Sequence, residues 1–348
     1  MNVKGWSVSA LTVLCLLFNS QAIAQSSNSA SDDAAEFSAK LNRIKDELLP
    51  FLSSRERKKL DGFRFGSDDL LLEDEIVREN GVRLILPEVA VVGRGKRIIV
   101  GLGWINLVEL VNYTLQHDYF EVIMAIGKEP CPIHGEIPDL SEIAETNLTT
   151  NYFREIIESL DSKPDSYPYP DGFRTVYFHE VQPGMNSLNI LHLNTLSSFI
   201  DCLMLVLAHE MGHVCLGHLD NWSNRTDLHE SRNRELAADK FAMDLYFKFK
   251  GNLLNKIDGG SVVRQLKGEG RYQDYVTTSL WQGFFAVAVT DYLRYVAVKS
   301  PIRATTHPYF SDRLSVILDE YPIENVDARQ QLKQSLQLFD EMIRTMGE

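Results

Sequence analysis

Residues 197–217 read as one helix that is apolar almost all round, and a helix of that kind has to be buried. Into its apolar girth the sequence sets His209, Glu210 and His213. Two imidazoles and a carboxylate are costly to bury without partners. A fold that accepts this chain must therefore wrap other elements around the helix and give these three groups something to bind. Gly217 stands where the helix would need its C-terminal cap.

His209 and His213 are four residues apart, so their side chains leave one face of the helix about a turn from each other. At that spacing two imidazoles can share one tetrahedral zinc ion, one per chain. Glu210 lies on the flank, where it can take a proton from a water at the metal without being a ligand. Two core histidines satisfied by hydrogen bonds are the plainer alternative. A chance H-E-x-x-H in a chain of this length is on the order of one in a hundred, which favours the metal.

A catalytic zinc keeps three protein ligands and one open position. The next predicted helix, residues 230–249, offers Glu235-Leu236-Ala237-Ala238-Asp239. Glu235 and Asp239 again stand four apart and face the same way. Small Ala237 and Ala238 let this helix approach the first closely. Glu235 is assigned as the third ligand, with Glu230 as the other candidate. Asp239 fits a supporting position, holding the outer nitrogen of a ligand histidine and fixing its tautomer.

With these elements in place the sequence resembles the gluzincin metallopeptidases of the M48 type, the Ste24/HtpX-like family. The resemblance rests on His209 to His213, then Glu235 to Asp239, then Thr306-His307-Pro308 followed by Arg313, over roughly residues 200–315. It implies a zincin-like fold, zinc, endoproteolysis and a third ligand at Glu235. It also implies that His307 and Arg313 lie near the active site, His307 towards the oxyanion or the ligand shell and Arg313 against nearby carboxylates. A polypeptide substrate, an unfolded or misassembled envelope protein, is likewise what the family implies. Only residues 214–234 separate the two metal motifs, without membrane-spanning helices, which points to a soluble version.

The remaining sequence sets the expected frame. Residues 33–60 carry Phe37, Leu41, Ile44 and Leu48 at helical spacing and predict one or two amphipathic helices. Residues 82–92 predict a strand pair or a strand and loop, residues 98–100 a short strand, and residues 104–115 a helix. Residues 128–140 and 161–172, rich in Pro, Gly and Asp, predict loops. Residues 174–181 and 188–193 predict strands, the first a candidate edge along which substrate would lie. From residue 262 onward the chain reads as mainly helical, and Asp291 and Arg294 make residues 281–298 a buried amphipathic helix rather than a membrane span. The fold class is α+β, with a small mixed or antiparallel sheet and a helix-rich C-terminal half. A signal peptide at 1–24, a leader with N-terminal helices at 25–80, and a metallopeptidase domain at 81–348 are the expected divisions.

Export is expected from Lys4, the apolar run from Val8 to Phe18, and Ala22-Ile23-Ala24 before Gln25. Cleavage near Ala24 would place the protein in the periplasm or outside the cell, with no transmembrane helix in the mature chain. Cys131, Cys202 and Cys215 would then remain. Cys202 and Cys215 stand 13 residues apart on one helix, roughly 20 Å along its axis, too far to pair with each other.

A net charge of −13 repels phosphate backbones and sets nucleic acid aside as a partner. Cys131 and His134 have C-x-x-H spacing but no partner pair. His218 and His229, between the two motifs, read as solvated, with approach to the metal in a resting state as the alternative. Two further readings compete with a peptidase. One is a zinc-containing chaperone or scaffold, latent or non-proteolytic, and the other a metallohydrolase acting on a non-peptide substrate.

Overall fold

The computed structural model describes residues 30–66, 73–77, 83–87, 89–92, 96–125, 187–219, 228–256 and 310–320, with shorter pieces between 148 and 176 and between 264 and 284. The expected signal segment, Cys131, His134, His307 and the loop at 128–140 lie outside the described residues.

Helix α1 (Ala30–Leu48) buries Phe37, Leu41, Ile44 and Leu48, the row that the 3.6-residue period requires. A 3-10 turn, Leu49–Phe51, carries Pro50 at its start and redirects the chain. Helix α2 (Ser54–Leu60) opens on a reciprocal cap. The Ser53 hydroxyl accepts from the Glu56 amide at 3.3 Å, and a Glu56 carboxylate oxygen accepts from the Ser53 amide at 2.7 Å. The expected pair of N-terminal helices is therefore present.

Five short strands follow: β1 (Arg64–Gly66), β2 (Glu73–Val77), β3 (Arg83–Pro87), β4 (Val89–Val92) and β5 (Arg97–Val100). β2 and β3 form an antiparallel pair with Glu75 opposite Ile85. The other three make a mixed sheet in the order β1-β5-β4, parallel between β1 and β5 and antiparallel between β4 and β5. Ile98, Ile99 and Val100 of the central strand are all buried, as a strand covered on both faces demands.

Helix α3 (Leu102–Ala125) buries Trp104, Ile105, Val108 and Val111 and ties itself to the next helix where the Asn112 amide donates to the Thr195 carbonyl at 2.8 Å. Helix α4 (Ser187–Leu216) runs through the centre of the molecule. Its Thr195–Leu216 stretch is long and apolar enough to cross a membrane by length and composition, but here the protein's own elements bury it. Helix α5 (Leu228–Lys256) packs along α4, and α6 (Phe310–Glu320) packs on α5. The architecture is α+β and mostly helical.

One strand expectation fails, and a second meets helix at its one described position. Residues 188–193 form the start of α4, and His192 there is a buried helix residue whose Nδ1 lies 2.8 Å from the Val176 carbonyl oxygen. Within 174–181 the one described residue, Val176, is helical, its amide bonding back to the Gly172 carbonyl at 3.1 Å. A short apolar run reads the same by periodicity whether it is strand or helix, and here the run is continuous with the helix that follows.

One core joins the N-terminal helices to α4 and α5. Phe37, Leu41, Leu48, Leu52 and Leu60 share a buried cluster with Leu203, Leu207, Met211, Val214 and Leu245. An ion pair is buried where α4 meets α5. Lys250 of α5 donates to both carboxylate oxygens of Asp201 on α4, at 3.0 and 2.8 Å, and its ammonium lies 5.7 Å from the centre of the Tyr246 ring. Burial pushes the Asp201 carboxyl up even though Lys250 pulls it down. Cys202 and Cys215 are both buried free thiols.

Candidate metal centre

The centre lies where α4 and α5 come closest, and Gly212 permits that approach. A methyl group built on Gly212 would stand 3.2 Å from the Ala238 Cα, 3.3 Å from the Ala238 carbonyl oxygen and 3.2 Å from the Phe241 ring. Ala238 is buried in this contact, whereas Ala237 is exposed, so only one of the two alanines serves the packing. Residues at positions 212 and 238 thus let the helix carrying Glu235 meet the helix carrying His209 and His213.

His209, His213 and Glu235 converge as a group able to hold a metal ion. The two Nε2 atoms are 3.1 Å apart, and Glu235 Oε2 lies 3.2 Å from His209 Nε2 and 3.5 Å from His213 Nε2. Donors held at about 2.0–2.2 Å by one small tetrahedral ion stand roughly 3.3–3.6 Å from each other. The observed edges of 3.1, 3.2 and 3.5 Å come close to that size, two of them slightly shorter. The rings meet edge to face, with centroids 4.8 Å apart and planes at 78°. Glu210 is buried beside them on the same helix. Glu230, the other candidate ligand, is exposed and paired instead with Arg234.

The protonation pattern also calls for a cation. His209 Nδ1 lies 2.8 Å from Asp239 Oδ1, and because a carboxylate can only accept, Nδ1 carries the proton. A neutral His209 then turns an Nε2 lone pair towards the Glu235 oxygen, acceptor against acceptor. Burial alone would push His209 down, but the hydrogen bonds and charges of Asp239 and Glu235 outweigh it and raise its pKa to about 10. A second proton on Nε2 would turn this contact into a hydrogen bond, and a metal ion can replace that proton.

Asp239 is itself held from behind. Arg313 of α6 donates from Nε to Oδ2 and from a terminal nitrogen to Oδ1, each at 2.7 Å, and its guanidinium lies 5.5 Å from the centre of the Phe284 ring. Burial pushes Asp239 up, yet the Arg313 charge and hydrogen bonds hold it down at about 2. The chain from Arg313 through Asp239 to His209 fixes the ring and its tautomer.

A residue that the sequence left as solvated is also placed here. α4 ends in a Schellman cap, with Gly217 at φ 80°, its amide on the Val214 carbonyl at 3.2 Å, and the His218 amide on the His213 carbonyl at 3.0 Å. The cap folds His218 back over His213, and their Nδ1 atoms lie 2.9 Å apart. His218 thus sits behind the ligand ring, on the nitrogen that faces away from the Nε2 triangle. Burial first, then the neighbouring His213 and Arg234 charges, push its pKa down to about 4. The Gly217 signal could have located it, because a Schellman cap always returns the residue after the glycine to the last turn. Lys59 of α2, which donates to the Cys215 carbonyl at 2.6 Å, had no signal in the sequence at all. His229 is exposed on α5 and does not belong to the group that could hold a metal.

The family described as Peptidase U49 matches residues 107–333, well over half of the chain. No curated protein matches the chain, and no solved structure does. The match spans α3 to α6 and so includes every residue of the centre, while α1, α2 and the strands precede it.

Proposed function

The chain belongs to the Peptidase U49 family, whose substrates are polypeptides, and from that premise we propose that it is an exported zinc metalloendopeptidase. The observation that carries the proposal is the His209–His213–Glu235 triangle, whose edges of 3.1 to 3.5 Å suit one small tetrahedral ion. Two imidazole nitrogens and a carboxylate oxygen form a donor set that suits zinc. The pattern of separated motifs is similar to that of M48-type gluzincins, which supports the same reading.

When bound, zinc lowers the pKa of a water to roughly 7 and polarises a carbonyl oxygen. The chain's own residues do the rest. Glu210, one residue after the first ligand, acts as general base, accepting the proton released as a peptide carbonyl is attacked and passing it to the leaving amine. His209, His213 and Glu235 hold the ion, and Asp239 keeps the Nδ1 proton of His209 so that Nε2 faces inward. Arg313 keeps Asp239 ionised within the interior. We assign His307 to oxyanion stabilisation on the strength of the T-H-P motif. The residues before Gln25 act as the export signal, and the substrates are unfolded or misassembled proteins of the cell envelope.

Glu210→Gln tests the reading. It removes the base but none of the three ligands, so zinc content stays stoichiometric while cleavage of an unfolded protein such as casein is lost. A Glu210→Gln protein that still cleaves at the wild-type rate would refute it.

A further inference from the structure

The two ligand histidines are supported differently. His209 leans on a carboxylate that is itself gripped by Arg313, whereas the outer nitrogen of His213 meets His218, 2.9 Å away. We propose that His218 is the positioning residue of the ligand His213, a third imidazole that sets that ring's orientation and tautomer without touching the metal. The proposal rests on the zinc reading given above and extends it to a residue outside the ligand motif.

Three contacts fix His218, two of them with His213 and one with Arg234. Its amide closes the Schellman cap on the carbonyl of His213 itself, at 3.0 Å. Its carbonyl accepts from Arg234 at 3.4 Å, and Arg234 directly precedes the ligand Glu235 on α5. Its ring stands edge-on to the His213 ring, with centroids 5.0 Å apart and planes at 67°. Lys59 covers the Cys215 carbonyl, completing the cap where the Schellman bonds leave it open. Backbone amide, carbonyl and ring are therefore each held by a contact within the chain.

The chemistry follows from the contact. Of two ring nitrogens in a hydrogen bond, one donates and the other accepts. With His213 Nε2 turned to the metal, its Nδ1–H donates and His218 Nδ1 accepts. His218 then carries its own proton on Nε2. A neutral imidazole takes the place that a carboxylate holds behind His209, so His213 is oriented without a second buried negative charge. Together with Glu210, Glu235 and Asp239, such a charge would have set four carboxylates around one ion.

Zinc affinity of the full chain, measured by competition with a chromogenic chelator, tests this directly. His218→Ala should raise the zinc dissociation constant about ten- to a hundredfold, the usual effect of removing a partner behind a ligand histidine. His218→Gln, which keeps a hydrogen-bonding group, should recover much of that loss. The melting temperature of the metal-free protein should stay near the wild-type value in both variants, and the visible spectrum of the cobalt-loaded protein should shift in His218→Ala. A wild-type dissociation constant in His218→Ala would overturn the proposal, as would a loss fully explained by unfolding of the metal-free variant. A wild-type protein that takes up no zinc would instead overturn the zinc reading, and this proposal with it.

Discussion

Arg313 grips Asp239 through two hydrogen bonds of 2.7 Å, across 74 residues of sequence and inside a buried site. An ion pair of this kind is at its most sensitive when one member is removed, because the other is left charged and unpartnered. Arg313→Met should destabilise the protein by about 3–5 kcal/mol, read from urea denaturation. Asp239→Asn should weaken zinc retention roughly ten- to a hundredfold, because an amide no longer fixes the His209 tautomer. Equal zinc affinity in Asp239→Asn and wild type would mean that the Arg313–Asp239–His209 chain is only structural.

Metal removal has a defined pH dependence. In the metal-free protein the pKa of His209 is raised above its ordinary 6.5 to about 10, so its contribution to stability is complete below 6.5 and is lost as pH rises through 10. Zinc displaces the proton from Nε2. Loading at pH 7 should therefore release protons, and affinity should strengthen as pH rises towards 10. Calorimetry in two buffers of different ionisation enthalpy measures the protons released. Heats that do not depend on the buffer would contradict the assignment.

Gly212 has no room for a side chain, with Ala238 and Phe241 atoms 3.2 Å from where a Cβ would sit. Gly212→Ala must push α5 away from α4 and carry Glu235 with it. The expected cost is about 1–3 kcal/mol in folding stability, together with weaker zinc binding. Parallel denaturation and zinc titrations separate the two effects. A variant with unchanged zinc affinity would show that the ligand triangle tolerates the shift.

Lys250 and Asp201 form a buried ion pair between α5 and α4. Lys250→Met should cost about 3–5 kcal/mol by leaving Asp201 buried alone, while the double variant Asp201→Leu with Lys250→Met should recover much of the loss. A double-mutant cycle by chemical denaturation reads the coupling. Additive losses would show that the pair is not coupled in the folded state.

Much of the centre was legible because its chemistry is local. His209, Glu210 and His213 share one helical turn, and Glu235 with Asp239 another, so spacing alone assigns faces. The N-terminal helices were legible for the same reason, since Phe37, Leu41, Ile44 and Leu48 keep a clear period. Arg313 was reached only through resemblance, because no local rule joins it to Asp239. The run Leu188–Leu193 reads as a strand by sequence because six residues are too few to separate a period of 2 from one of 3.6. Its true state is decided by Thr195 and the residues beyond, which continue one helix into the metal motif.

The centre gathers its parts from distant stretches of chain. Lys59 closes the end of α4 from 156 residues upstream, and Arg313 reaches back to Asp239 from 74 residues downstream. Synthesis runs from the N-terminus, so a growing chain has its brace ready before α4 exists but lacks the guanidinium until most of it has been made. Until then Asp239 is not held, and the ring of His209 has no fixed partner behind it. In chain order, the support behind His209 is completed only after all three ligand residues and the base are in place.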